Sequence, residues 1–139
     1  MYLQREIAMT HPERTSANKP GAIINIGSYA RFQSFPVILT DAATKGALAQ
    51  LTRTLAVEGI GHGIRVNAVG SGDVVTNILN SFREDGPNFL AEHGKIAPIK
   101  RAAKPEEIAE VVAFLASDKA SFMVGSLVMA DGGMSVIIL

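Results

Sequence analysis

Three short apolar stretches, spaced by helix-length segments, constrain the fold of this 139-residue chain more than any other feature. They are AIINI (22–26), IRVNAV (64–69) and SLVMADGG (126–133). The first is near-continuous in apolar character and rich in β-branched residues, which predicts a buried strand covered on both faces, as in a parallel sheet, and the other two read as further strands. Between the first two lies a predicted helix from Thr40 to Glu58, with Leu48, Leu51 and Leu55 as its apolar stripe. Ala42, Ala43, Ala47, Ala49 and Ala56 make much of its surface small, which allows close packing. Thr40 can cap this helix, Asp41 favours its positive end, and GIGHG (59–63) ends it. Before the third strand comes PEEIAEVVAFLAS (105–117), with Pro105 at the first helical position and Glu106 and Glu107 in the first turn. Its expected buried face is Ile108, Val111, Val112 and Leu115. A helix over 1–9, a loop over 10–21 and a partly helical stretch over 77–94 complete the order. Strands alternating with helices predict parallel pairing through right-handed crossovers.

Composition narrows the function classes. Thirteen basic residues balance thirteen acidic ones without a basic stripe, so nucleic acid is not an expected partner. The sequence has no apolar run of membrane-spanning length, and a membrane partner is not expected. Cysteine is absent, which excludes disulfides and thiolate metal sites. His11, His62 and His93 are widely separated and read as exposed loop or helix-end residues, so no metal site is expected. The chain reads as a single domain, or part of one, with a cytoplasmic setting.

In an open parallel sheet, ligands bind beyond the carboxyl ends of the strands. Three segments lie there: 27–39, 70–76 and 131–135. Ser28 stands at the first strand end, Asp41 follows thirteen residues later and Lys45 four after that. Positions 41 and 45 share a helix face, so all three side chains can converge on the sheet crevice. Ser71, Gly72, Val74 and Thr76 stand at the second strand end, where glycine permits close backbone approach and a hydroxyl can bond a phosphate. Each residue also has a plain structural reading: Ser28 as a strand-end hydroxyl, Lys45 as a solvated lysine, Thr76 as a cap.

Taken together, these motifs resemble the carboxyl-terminal half of a short-chain dehydrogenase/reductase. IINIGS (23–28) is similar to that family's IVNISS strand, and DAATKGA (41–47) to its YxASKGA helix start. HGIRVNAVGSGDVVT (62–76) is similar to HGIRVNAVAPGxVxT, and PEEIAEVVAFLAS with GSLVMADGG to its last helix and strand. The likeness runs from about residue 21 to residue 135, over three-quarters of the chain.

The resemblance implies an α/β fold: a partial Rossmann-like, doubly wound parallel sheet of about three strands with flanking helices, its amino-terminal half missing. No G-x-x-x-G-x-G precedes residue 22, so the pyrophosphate-binding turn is expected outside this chain. It also implies NAD or NADP as cofactor and a small-molecule alcohol or carbonyl as substrate. Ser28 would position the substrate oxygen, and Lys45 would bond the nicotinamide ribose. Ser71, Gly72, Val74 and Thr76 would line the carboxamide and phosphate side of the cofactor. Residues 77–100 would form the variable substrate-binding insertion, and the helix over 40–58 a surface for a homo-oligomer. Asp41 stands where the family has its proton-exchanging tyrosine. A carboxyl titrates about six units below a phenol and is much shorter, so Asp41 is a poor proton donor to an alkoxide. Tyr29, beside Ser28, is the alternative phenol, although adjacent strand-end residues point different ways.

Overall fold

The computed structural model describes residues 21–31 and 39–137. The expected helix over 1–9 and nearly all of the loop over 10–21 lie outside the described residues. Strand β1 runs Gly21–Ser28, β2 runs Ile64–Ser71 and β3 runs Leu127–Ala130. They form one parallel sheet in the order β1-β2-β3, with Ile24 opposite Asn67 and Val69 opposite Val128. β1 and β2 are each longer than expected and extend to Ser28 and Ser71, so both serines end paired strands. β3 is shorter, and Asp131 and the two glycines after it turn out of the sheet.

Helix α1 (Leu39–Ile60) connects β1 to β2, whereas α2 (Gly86–His93) and α3 (Pro105–Ala116) lie between β2 and β3. α1 and α3 cover opposite faces of the sheet. Asn25 on β1 donates to Thr52 of α1 at 2.9 Å, whereas Ile24, its neighbour in the strand, packs with Leu115 of α3. α1 begins before Thr40, which therefore lies inside the helix rather than capping it, and ends in a turn where Gly63 takes φ 70°.

The buried face of α1 differs from the expected leucine stripe. Its buried residues are Ala49, Thr52 and Ala56, while Leu51 remains 46% exposed. Leu48 and Leu55 are half-buried. Hydrophobic periodicity weights the largest side chains, but a helix lying close to a sheet excludes them in favour of small ones. Thr52 meets this constraint while polar because its hydroxyl donates to the Leu48 carbonyl and accepts from Asn25.

The core beneath α3 follows the expected pattern. Leu115 is fully buried with Val69 and Ala120, and Ile108, Val111 and Val112 pack around them half-buried. The amino end of α3 carries Pro105 in its first turn, and Glu107 accepts from the Lys104 backbone N–H at 2.9 Å. Arg101 adds two parallel bonds of 2.7 Å to the same carboxylate. These bonds, with Arg101 the larger cause, pull the Glu107 carboxyl down to about 2. At the other end, buried Arg65 of β2 donates to the carbonyls of Leu115, Ala116, Ser117 and Ala120 at 2.9–3.5 Å. One guanidinium thus caps the carboxyl end of α3 and ties it to the central strand.

Candidate active site

The carboxyl ends of β1 and β2 open into a cleft of about 540 Å³. Its lining brings together Ser28, Asp41, Lys45, Ser71, Gly72, Val74 and Thr76. The third expected segment, 131–135, does not reach it. Asp131 and Gly132 instead line a separate 140 Å³ cavity behind Gly72 and Asp73, and Met134 packs beneath Tyr29.

Each side chain has a local reason for its place. The Ser28 hydroxyl accepts from the Ala30 N–H at 3.1 Å, which fixes it at the start of the turn Tyr29–Arg31. Its strand-end reading therefore holds alongside its place in the cleft. Lys45 is half-buried and its Nζ donates to the Ile26 carbonyl at 3.4 Å. The Ser71 hydroxyl donates to the Gly27 carbonyl at 3.3 Å, linking the two strand ends. Asp41 is exposed in the first turn of α1, and among the described residues no ion pair joins it to Lys45.

Gly72 marks a close approach. A Cβ there would stand 2.7 Å from Asp131 Cα, so no larger residue fits between the two strand ends. Beyond it, Val74 forms a parallel bridge with Ala103: Val75 donates to the Ala103 carbonyl at 3.0 Å and Ala103 to the Asp73 carbonyl at 2.8 Å. The N–H and C=O of Val74 itself point to the opposite side and have no partner among the described residues. An unpaired backbone donor and acceptor side by side suit the carboxamide of a nicotinamide. With a lysine ammonium and a threonine hydroxyl on the same cleft, the residues present fit the nicotinamide end of a dinucleotide. Such a group, when bound, supplies or accepts the hydride.

Tyr29 also lines the cleft, beside Ser28. It is buried against Ala97 and Met134. Burial first, and then the charges of Asp73 and Asp131, pushes its phenol up to about 12. His93, expected to be an exposed helix-end residue, does end α2, but its ring turns inward. Its Nδ1 lies 2.7 Å from Asp73 Oδ2, with the His93 side chain 29% and the Asp73 side chain 11% exposed. The pair escaped sequence reasoning because its members lie twenty residues apart across a turn-rich segment, where no periodicity relates them. The clue available was an acidic residue inside the strand-end turn GSGDVVT. Residues 77–93 otherwise give the cleft an apolar wall of Ile78, Leu79, Phe89 and Leu90.

Comparison with known proteins agrees with this architecture. The profile of the family described as Enoyl-(Acyl carrier protein) reductase matches residues 6–135. The chain is 40% identical over 122 residues to 2-(S)-hydroxypropyl-CoM dehydrogenase 3 of Xanthobacter autotrophicus, covering 84% of this chain and 47% of that protein. It is also 40% identical over 120 residues to the Inactive 2-(S)-hydroxypropyl-CoM dehydrogenase 2 of the same organism, covering 84% of this chain and 52% of that one. A crystal structure of a 3-oxoacyl-[acyl-carrier protein] reductase with bound NAD from Brucella melitensis superposes with a TM-score of 0.74 at 33% identity. That match covers 91% of this chain and 45% of the other. The chain thus spans about half the length of the relatives it matches. A three-stranded parallel sheet with helices on both faces, the family motifs at its strand ends and a profile match over nearly the whole sequence together make this chain a member of the short-chain dehydrogenase/reductase family.

Proposed function

We propose that this chain carries the substrate side of an NAD(P)-dependent oxidoreductase, moving a hydride between a nicotinamide and a small alcohol or carbonyl compound. The observation that carries the reading is the convergence of Ser28, Lys45, Val74 and Thr76 on one cleft at the carboxyl ends of β1 and β2. In this reading Ser28 orients the substrate oxygen, Lys45 holds the nicotinamide ribose, and Ser71, Gly72, Val74 and Thr76 border the cofactor. Residues 77–100 form the substrate wall. The apolar side chains there favour a substrate with a hydrocarbon body. The reading carries with it a cytoplasmic setting. Fluorescence titration with NADH and NADPH, followed by turnover of a panel of secondary alcohols and ketones, tests it. Neither binding nor turnover would overturn it.

A second reading is an interaction module without turnover. It is favoured by Asp41 at the tyrosine position and by the exposed apolar residues Leu51, Val57 and Ile60 on α1. In either reading a homo-oligomer would cover that helix face. Sedimentation of the chain as a well-folded monomer would count against it.

A further inference from the structure

We propose that His93, oriented by Asp73, is the proton-exchanging group of this cleft, doing the work for which Asp41 is unsuited. The proposal rests on the oxidoreductase reading above and assigns a residue that the family motifs do not.

The groups that line the cleft differ in their fitness for proton exchange. Hydride transfer to or from a carbonyl carbon needs a partner that gives or takes a proton at the oxygen. Ser28 and Thr76 are alcohols, and Lys45 is directed at the Ile26 carbonyl. The Tyr29 phenol is held protonated by burial and by nearby carboxylates. Asp41 is exposed on the cleft, and a carboxylate is a poor proton donor to an alkoxide. His93 is the imidazole on the lining, and imidazole is the side chain suited to proton exchange near neutral pH. The other described histidine, His62, is exposed in the turn at the far end of β2.

The geometry then selects one ring nitrogen. Nδ1 is engaged by the Asp73 carboxylate at 2.7 Å, and Nε2 has no partner among the described residues. A carboxylate on Nδ1 favours the tautomer with hydrogen there, leaving Nε2 as the acceptor. The ring plane is held by stacking on Phe89, 5.7 Å between centroids, and Phe89 in turn lies under the Arg83 guanidinium at 3.9 Å. The other charges around His93 are accounted for. Arg83 is paired with Asp85, and Glu92 with Lys95. The Asp131 carboxylate accepts the backbone N–H groups of Gly133 and Ser135. Asp41 and Lys45 face His93 from α1 across the cleft.

The step balances simply. In alcohol oxidation the substrate O–H bond would break and its proton would pass to Nε2, with a bound oxidised nicotinamide taking the carbinol hydride. In carbonyl reduction the imidazolium would return the proton to the oxygen, with a bound reduced nicotinamide supplying the hydride. Asp73 is a positioning residue and exchanges no proton itself.

The test uses the full chain with NADH, NADPH and a panel of secondary alcohols and ketones. His93→Gln should lower kcat about 100-fold while NADH affinity stays within about 3-fold. Asp73→Asn keeps the ring but loosens its tautomer, and should lower kcat about 10-fold and move the pH profile of kcat, which a merely structural tie would not do. Should His93→Gln fail to fold, as judged by thermal melting, Asp73→Asn carries the test. Equal kcat in wild type and His93→Gln, or an unmoved pH profile in Asp73→Asn, overturns the proposal. A chain that binds NADH but turns over nothing overturns it and leaves the cofactor site standing; a chain that binds no nicotinamide cofactor overturns both.

Discussion

The Lys45 ammonium reaches back to the strand that precedes its helix, 3.4 Å from the Ile26 carbonyl oxygen, and not to Asp41 one turn away. The ammonium and Asp41 nonetheless line the same cleft. We expect Asp41→Tyr, introduced together with His93→Gln, to recover turnover by about 100-fold over His93→Gln alone, because the phenol takes over proton exchange. Steady-state kinetics of the two variants measures this. No recovery would mean that the lysine cannot activate a group at position 41.

Arg65 is expected to be worth far more than a surface arginine. Its buried guanidinium satisfies four carbonyls at the end of α3 and in the turn after it. Arg65→Met leaves those acceptors unmet and should cost about 3 kcal/mol, read from urea unfolding. Arg65→Lys, with three donors in place of five, should recover less than half of that loss.

Gly94 should tolerate no side chain. A Cβ there would overlap the backbone nitrogen and Cα of Ala102, where the end of α2 meets the connector to α3. Gly94→Ala should destabilise by about 2 kcal/mol, since backbone rather than a mobile side chain must give way. It should also raise substrate KM, because His93 is the preceding residue. Thermal melting and steady-state kinetics together check both effects.

The Tyr29 phenol predicts a loss of stability in alkali. In the folded chain burial, then Asp73 and Asp131, raises it from the ordinary phenol value of 10.0 to about 12. The unfolded phenol ionises near ~10. A group raised on folding contributes its full stability below the unfolded value and loses it as pH climbs through the folded one. Urea midpoints should therefore fall between about pH 10 and 12, and Tyr29→Phe should remove that part of the fall. An identical fall in Tyr29→Phe would assign it to other groups.

Much of this fold was legible in the sequence because apolar strands alternating with helices have few alternatives, although only β2 is buried along most of its length, and β1, expected to be buried, is half-buried with Ile26 47% exposed. AIINI and IRVNAV stand within β1 and β2, and Pro105 opens α3 as its position predicted. The strand-end residues Ser28 and Ser71 and the helix residue Lys45 were legible too, since sheet topology alone sends them to one crevice. Two features were hidden. Leu51 looked like core because it is large, yet α1 approaches the sheet through Ala49, Thr52 and Ala56. The Asp73–His93 bond depends on the path of residues 77–93, which turns and the short helix α2 decide without any repeating pattern.

The small buried face of α1 has a consequence beyond stability. Lys45 precedes Ala49 by one turn on the same side of the helix, so the height at which its ammonium stands above the sheet is set by methyl groups. The helix works as a spacer of fixed thickness. A valine at position 49 or 56 would act as a shim beneath it, lifting the lysine from the Ile26 carbonyl. Chemistry in the cleft would then be lost to a displacement of about an ångström, in a protein that still folds.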